Sequence, residues 1–376
     1  MKILQAKKSV DAEFVFTSQK EDLKEPLVLV FGNRFMLEDT KLFDEIRNLF
    51  PDGHIVFGST SGEIMGHRVL DGTVTLTAIE FEKGHFLIKN KNVSEFNNNA
   101  IALGESLSKE IPIEGLKHIF VVSEGSNVNG SDLITGLEEG GSGITGLSGG
   151  LCGDDDRFEV TLSSYNEPPK EGEVIAIGFY GESLEVTCAN YGGWIPFGPE
   201  RLITKSQKNV LFELDGKPAL DLYKRYLGDK SDELPKSALL YPLSVRTHDG
   251  QAIVRTILNI DEERNAMILA GDVPEGSKVQ LMMATVDDIA SGAKSAAKLA
   301  IEGRNTNTQL ALLISCVGRK LVMDQRTEEE IEEVVHVIGD TAVVSGFYSY
   351  GEMAPFAGQS SCKLHNQTMT LTLFSE

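Results

Sequence analysis

One unit occurs three times along the chain, and a repeat of this size limits how the whole can fold. An apolar strand candidate at 27–31, 119–122 or 310–316 precedes a helix candidate at 37–50, 131–139 or 327–338. Each helix leads to a glycine loop: Gly58 to Gly66, Gly140 to Gly153, and the stretch from Val343 in which Gly346 and Gly351 punctuate a turn. A further strand follows at Val74–Thr77, Val160–Leu162 or Met369–Phe374. The last two copies carry an extra helix upstream, at 95–110 and 287–301. Nearly all-apolar strands suit a sheet covered on both faces, and apolar residues three and four apart, as at Leu42, Phe43 and Ile46, suit helices packed on it. The fold class expected is therefore α/β, with mixed β-sheets and packed helices, internally duplicated and in two domains.

Between the copies, strands are expected at 12–18, at 73–81 and 85–89 joined by a hairpin turn at Glu82-Lys83-Gly84, and at 158–164 and 173–180. Gly192 to Pro199 reads as a connector, which places the boundary between domains 1–185 and 186–376. Beyond it, a β-rich segment at 184–214, a helix at 217–227 with Pro218 in its first turn, and a meander at 237–245, 252–259 and 265–270 precede the strand at 278–284.

Charge and cysteine usage exclude several roles. With 35 basic and 56 acidic residues the net charge is −21, which repels nucleic-acid phosphates and anionic lipid surfaces. No apolar run reaches the roughly 18 residues of a membrane span, so neither nucleic acid nor membrane insertion is expected and a cytoplasmic location is. Cys152, Cys188, Cys316 and Cys362 are scattered, which points to reduced thiols.

The densest set of hydrogen-bonding groups lies between Val343 and the C-terminus. Tyr350, Glu352, His365 and Asn366 sit there beside glycines that let backbone approach a ligand. Arg319 closes the run Ser315-Cys316-Val317-Gly318-Arg319 at a strand's carboxyl end, where ligands of α/β sheets bind. Arg246, Arg255 and Arg319 each need an anionic partner, from the protein or from a ligand. The candidate ligand-binding set is Arg319, Tyr350, Glu352, His365, Asn366, Arg255 and Cys316, and Arg319→Ala is expected to abolish binding without unfolding the chain. Glu63 and Glu352 follow loop glycines in equivalent copies, where hydrogen bonding to the loop explains them better than acid–base catalysis. The glycine loops lack the lysine of a phosphate-binding loop, and the Asp154–Asp156 run lacks the spacing of a calcium loop. No catalytic set is apparent; the alternative is a small-molecule hydrolase built on Cys316 or Ser315.

Seven motifs in order carry a family resemblance: GSTSGEI from Gly58, GGLCGDDDRF from Gly149, GGWIPFGP from Gly192, ELDGKPALDLY from Glu213, SCVGR from Ser315, YGEMAPF from Tyr350 and LHNQTMTLTL from Leu364. Together they resemble the FIST family, with a FIST N-like domain in 1–185 and a FIST C-like domain in 186–376. The resemblance implies a bacterial sensory module for a small-molecule ligand such as an amino acid, acting on a separate signalling protein. Some free-standing members are haem proteins that sense nitric oxide and regulate histidine kinases, so haem is a possible cofactor. His365 and His67 are then the candidate axial ligands, with a hydrogen-bonding role as the ordinary reading of His365.

Overall fold

A computed structural model describes residues 1–141, 146–246, 250, 252–356 and 361–376. The middle of the second glycine loop, with Ile144 and Thr145, lies outside the described residues. The three copies each form one six-stranded sheet. In each, two parallel strands lie side by side: Leu27–Gly32 with His54–Ser59, Leu116–Ser123 with Leu147–Leu151, and Leu310–Cys316 with Val343–Ser349. A returning strand pairs antiparallel with the first of the two: Thr73–Glu80, Glu173–Tyr180 and Met369–Ser375. An outer strand completes the set: Lys2–Ser9, His85–Asn92 and Glu185–Tyr191.

The edge next to each second parallel strand is closed by a strand from a different copy. Glu63–Met65 of the first copy pairs with Val343–Ser349 of the third. Ser163–Tyr165 of the second pairs with His54–Ser59 of the first, and Gly351–Pro355 of the third with Leu147–Leu151 of the second. This cyclic exchange removes three open edges at once, which would otherwise present unpaired backbone groups. Above it the loops interlock in the same sense: Gly153 N donates to Ser59 O at 2.9 Å, Ser61 N to Tyr348 O at 2.8 Å and Tyr350 N to Leu151 O at 3.1 Å.

The inward faces of all three sheets meet in one core. Phe31, Phe120, Phe179, Phe347 and Phe374 fill it, all within 1% of complete burial, with Phe31 and Phe347 ring centroids 4.6 Å apart. Helices cover the outward faces: Thr40–Leu49 on the first sheet, Ala100–Lys109 and Gly130–Gly140 on the second, Val286–Ile301 and Glu328–Ile338 on the third. At roughly 1.5–3 kcal/mol per buried large apolar side chain, this shared interior binds the copies to one another. Residues 185 and 186, at the expected boundary, are the first two of the strand Glu185–Tyr191.

Into the third copy, between Glu185–Tyr191 and the helix Val286–Ile301, is inserted a separate eight-stranded sheet with its own core around Leu211, Leu220, Tyr223 and Leu281. It carries the helix Ala219–Leu227, with Pro218 as its N-cap.

Several expectations are corrected. The first strand is Lys2–Ser9, whose lysines stand toward its two ends around the buried Leu4, Gln5 and Ala6, and only Val15–Phe16 of the expected 12–18 strand forms. Strands Thr73–Glu80 and His85–Asn92 do not pair as a hairpin but enter different sheets, because each has a longer partner elsewhere. Gly351 stands not in a turn but in the strand Gly351–Pro355, which pairs with Cys362–His365. Of the expected strand at 158–164 only the end, within Ser163–Tyr165, is one, and residues 236–240 are a short 3-10 helix rather than strand. Gly346 lies inside a strand rather than in a turn; its φ of +155° puts an added Cβ 1.8 Å from Leu313 O, and Gly149 stands likewise against Val121 O.

Candidate functional site

The turn His365–Thr368 is the point on which most of the expected site residues converge. Arg319, in the helix Val317–Met323, is fully buried, and its Nε and Nη2 both donate to Glu330 Oε2 at 2.9 and 2.7 Å. Nη2 also donates to Ile289 O at 2.9 Å, and Nη1 to Gly192 O and to Gln367 O. Glu330 accepts further from Ser315 Oγ at 2.9 Å and Tyr348 Oη at 2.6 Å. Arg319 thus spends its donors joining three helices, the connector at Gly192 and the 365–368 turn.

Glu352 is buried beside this network and accepts from Ser349 Oγ at 2.8 Å, Thr368 Oγ1 at 2.9 Å and Thr368 N at 3.1 Å. Glu63, at the matching place of the first copy, accepts from Thr60 Oγ1 at 2.6 Å and Thr73 Oγ1 at 2.5 Å. Strand pairing sets Glu63 opposite Phe347, Glu352 opposite Gly150 and Ser163 opposite Gly58, so the third equivalent place holds a serine. Burial pushes both carboxyls up to about 7, against which their hydroxyl partners act. Threonine and serine hydroxyls and one backbone amide, then, are what these carboxylates bind.

His365 is buried with Nε2 3.0 Å from Ala354 O, its ring edge-on to Phe356, and burial lowers its pKa to about 4. It is neutral at pH 7. His67 sits exposed in the turn between Glu63–Met65 and Arg68–Leu70. Neither fits an axial haem ligand: the first is enclosed in a packed interior, the second sits exposed in a turn. Among the described residues no group of three His, Cys, Asp or Glu could hold a metal ion. Asn366 is buried with neither amide atom partnered among the described residues.

Cys316 is 2% exposed, and burial drives its thiol well above the ordinary range, so the thiolate needed for attack is suppressed. Ser315 is buried and donates to Glu330, with no histidine partner among the described residues. Mass-spectrometric mapping of maleimide labelling at neutral pH is expected to find Cys316 modified only slowly in the folded protein and rapidly in denaturant. Rapid labelling of folded protein would restore the nucleophile reading.

Tyr350 and Arg255, by contrast, reach open space. Tyr350 lines a cleft of about 470 Å³ between the repeated core and the inserted sheet. Its core wall is the carboxyl end of the strand Leu116–Ser123 and the start of the helix Gly130–Gly140. Glu124, completely buried, accepts from Ser126 N at 2.6 Å, Asn127 N at 2.8 Å and Thr161 Oγ1, fixing the turn that presents Ser126 and Asn127. Asn129 caps the helix through Ser131 N and Asp132 N at 3.0 and 3.1 Å. Phe158 stacks on Tyr350 at 4.4 Å between centroids, and its N donates to the phenol oxygen at 3.0 Å. The facing wall is Asn209, Leu258 and Leu269 to Gly271. Arg255 lines an adjoining cavity of about 180 Å³ with Ser131, Thr135 and Lys363, and Leu364 borders both spaces. Residues 123–127 are a polar strand end, a kind of place where ligands of α/β sheets bind, whereas the opposing wall is supplied by the insertion and has no local signature.

Two family models match the chain: the FIST N domain over residues 26–217 and the FIST C domain over 219–355. The chain is similar to an uncharacterized protein of Methanocaldococcus jannaschii, 26% identical over 242 residues, which are 55% of this chain and 44% of that one. The match thus spans less than half of that relative. Among solved structures, a cyanuric acid hydrolase from A. caulinodans aligns over 93% of this chain and 90% of its own, with 9% identity and a TM-score of 0.32, too low to carry an argument. Among the described residues no helix is long and apolar enough to cross a membrane.

Proposed function

Since the chain belongs to the FIST family, whose domains are sensory domains of signal transduction, we propose that it senses a small polar ligand held in the cleft at Tyr350. The observation that carries this reading is the cleft's construction: one wall from the repeated core, the other from the insertion. A ligand touching both walls changes how they sit together, which is what a sensor must convert into a signal. Ser126, Asn127, Asn129, Asn209 and the Tyr350 hydroxyl offer hydrogen bonds, Glu159 and Glu171 favour a cationic group, and Leu258, Leu269 and Leu364 supply apolar wall. An amino-acid-like metabolite suits that mixture. The arrangement implied by the family is that the signal passes to a separate protein such as a histidine kinase.

The test is a thermal-shift screen of polar metabolites against the wild-type chain and Asn127→Trp, which fills the cleft from an exposed position. A ligand at 100 times its Kd is expected to stabilise the wild type by roughly 2.7 kcal/mol, a shift absent in the variant. Equal shifts in both would move the site elsewhere.

A further inference from the structure

Arg255 ends the strand Ala252–Arg255 and is 5% exposed, yet its guanidinium is not paired with a carboxylate among the described residues. Nε donates to Asp272 O at 3.2 Å and Nη1 to Leu364 O at 2.9 Å, tying the inserted sheet to the strand Cys362–His365. Nη2 has no hydrogen-bond partner among the described residues, and the side chain borders the 180 Å³ cavity. Gly271 makes room for it: a Cβ there would lie 2.8 Å from Nε and 2.9 Å from Cζ. Nη2 is thus left to donate to whatever occupies the cavity, and an anion is the partner a guanidinium binds best.

The other charged groups facing the cavity are Lys363, Glu138 and Asp272. Glu138 is already engaged, accepting from Cys362 N at 2.6 Å and Ser361 Oγ at 3.2 Å. Asp272 Oδ1 has no partner among the described residues, and Asp272 lines the same cavity as Arg255. Ser131 and Thr135, from the helix Gly130–Gly140, also line it.

We propose that this cavity is an anion subsite in which Arg255 Nη2 receives a small carboxylate bearing an adjacent hydroxyl or amine, whose hydrogen is accepted by Asp272. The proposal rests on the adjoining cleft being the ligand site, and it names the ligand's recognised group. A carboxylate gains a charge-assisted bond from the guanidinium that a neutral amide of the same shape does not.

The experiment is a thermal-shift titration of the full chain with lactate, alanine, propionate and lactamide at constant ionic strength, with chloride as reference. Lactate and alanine are expected to raise Tm most, propionate less, and lactamide no more than chloride. Arg255→Met is expected to weaken the apparent Kd for the first two by about tenfold or more, the value of a lost charged hydrogen bond. Thr135→Met, at an exposed position on the cavity wall, blocks the same space without touching the buried tie and is expected to do likewise. Equal responses to lactate and lactamide, or full responses in Thr135→Met, overturn the subsite. A metabolite bound in the cleft, lost in Asn127→Trp but unchanged in Arg255→Met, overturns the subsite and leaves the cleft reading standing.

Discussion

Arg319→Met is expected to lower the unfolding free energy by about 3–5 kcal/mol, the cost of breaking a fully buried ion pair from one side. The side chain sits among groups that water does not reach, so removing it strands the Glu330 carboxylate and orphans the carbonyls of Ile289, Gly192 and Gln367. Those three lie on separate segments, and the variant therefore loosens the contact between the third copy and the approach to the insertion as well as lowering stability. From sequence alone, Arg319→Ala promised loss of binding in a folded chain; the burial of its guanidinium turns the expected first effect into one on folding. Urea denaturation followed by circular dichroism measures it. Adding Glu330→Gln to the variant is expected to recover part of the loss, because the stranded charge goes too. A midpoint unchanged in Arg319→Met would mean that the network contributes nothing net.

The second large effect concerns pH. Glu63 and Glu352 have carboxyls raised from 4.5 to about 7 by burial, so in this window the folded chain holds protons that the unfolded chain has released. A raised carboxyl gives stability that is present below pH 4.5 and lost as pH rises to about 7. Moving one such group over that range is worth roughly 3 kcal/mol. Around Glu63 the Asp71 charge adds to the rise and Lys320 opposes it; around Glu352 the Arg319 charge opposes it. Glu63→Gln is the cleaner variant, since both of its partners are threonine hydroxyls that can either donate or accept. Glu352→Gln must keep its carbonyl toward Thr368 N, which only donates. Stability measured against pH should fall less steeply between pH 4.5 and 7 in each variant, and least steeply in the double variant. A slope equal to that of the wild type would show that these carboxyls titrate normally.

Much of this fold is written in local pattern. Apolar runs such as Leu310–Cys316 and amphipathic stretches such as Glu328–Ile338 announce themselves by period, and the threefold recurrence follows from aligning them. The exchange of strands between copies does not, because Glu63–Met65 and Ser163–Tyr165 are three residues long and their partners lie in other copies. Lys2–Ser9 is hidden by its lysines, which stand at the strand's ends and leave only Leu4, Gln5 and Ala6 buried between them. Candidate site residues divided in the same way. Residue type marked Arg319, Glu352 and His365 as groups in need of partners, and only tertiary packing shows that the protein itself provides them. Arg255 carried the same signal, yet one of its donors has no partner among the described residues. Asn209 and Leu258 gave no signal, for their part in the cleft depends on where the insertion rests.

Hydrogen–deuterium exchange of the full chain, with and without a metabolite that raises its Tm in the screen, bears most directly on the claim that ligand is held between core and insertion. Bound ligand is expected to slow exchange on both walls together, at Gly125–Gly130 and at Leu258–Gly271, because amides there open less often when the walls are bridged. Protection confined to one wall, or appearing only at a distant surface such as Asp287–His336, would contradict a sensor that reads its ligand across this cleft.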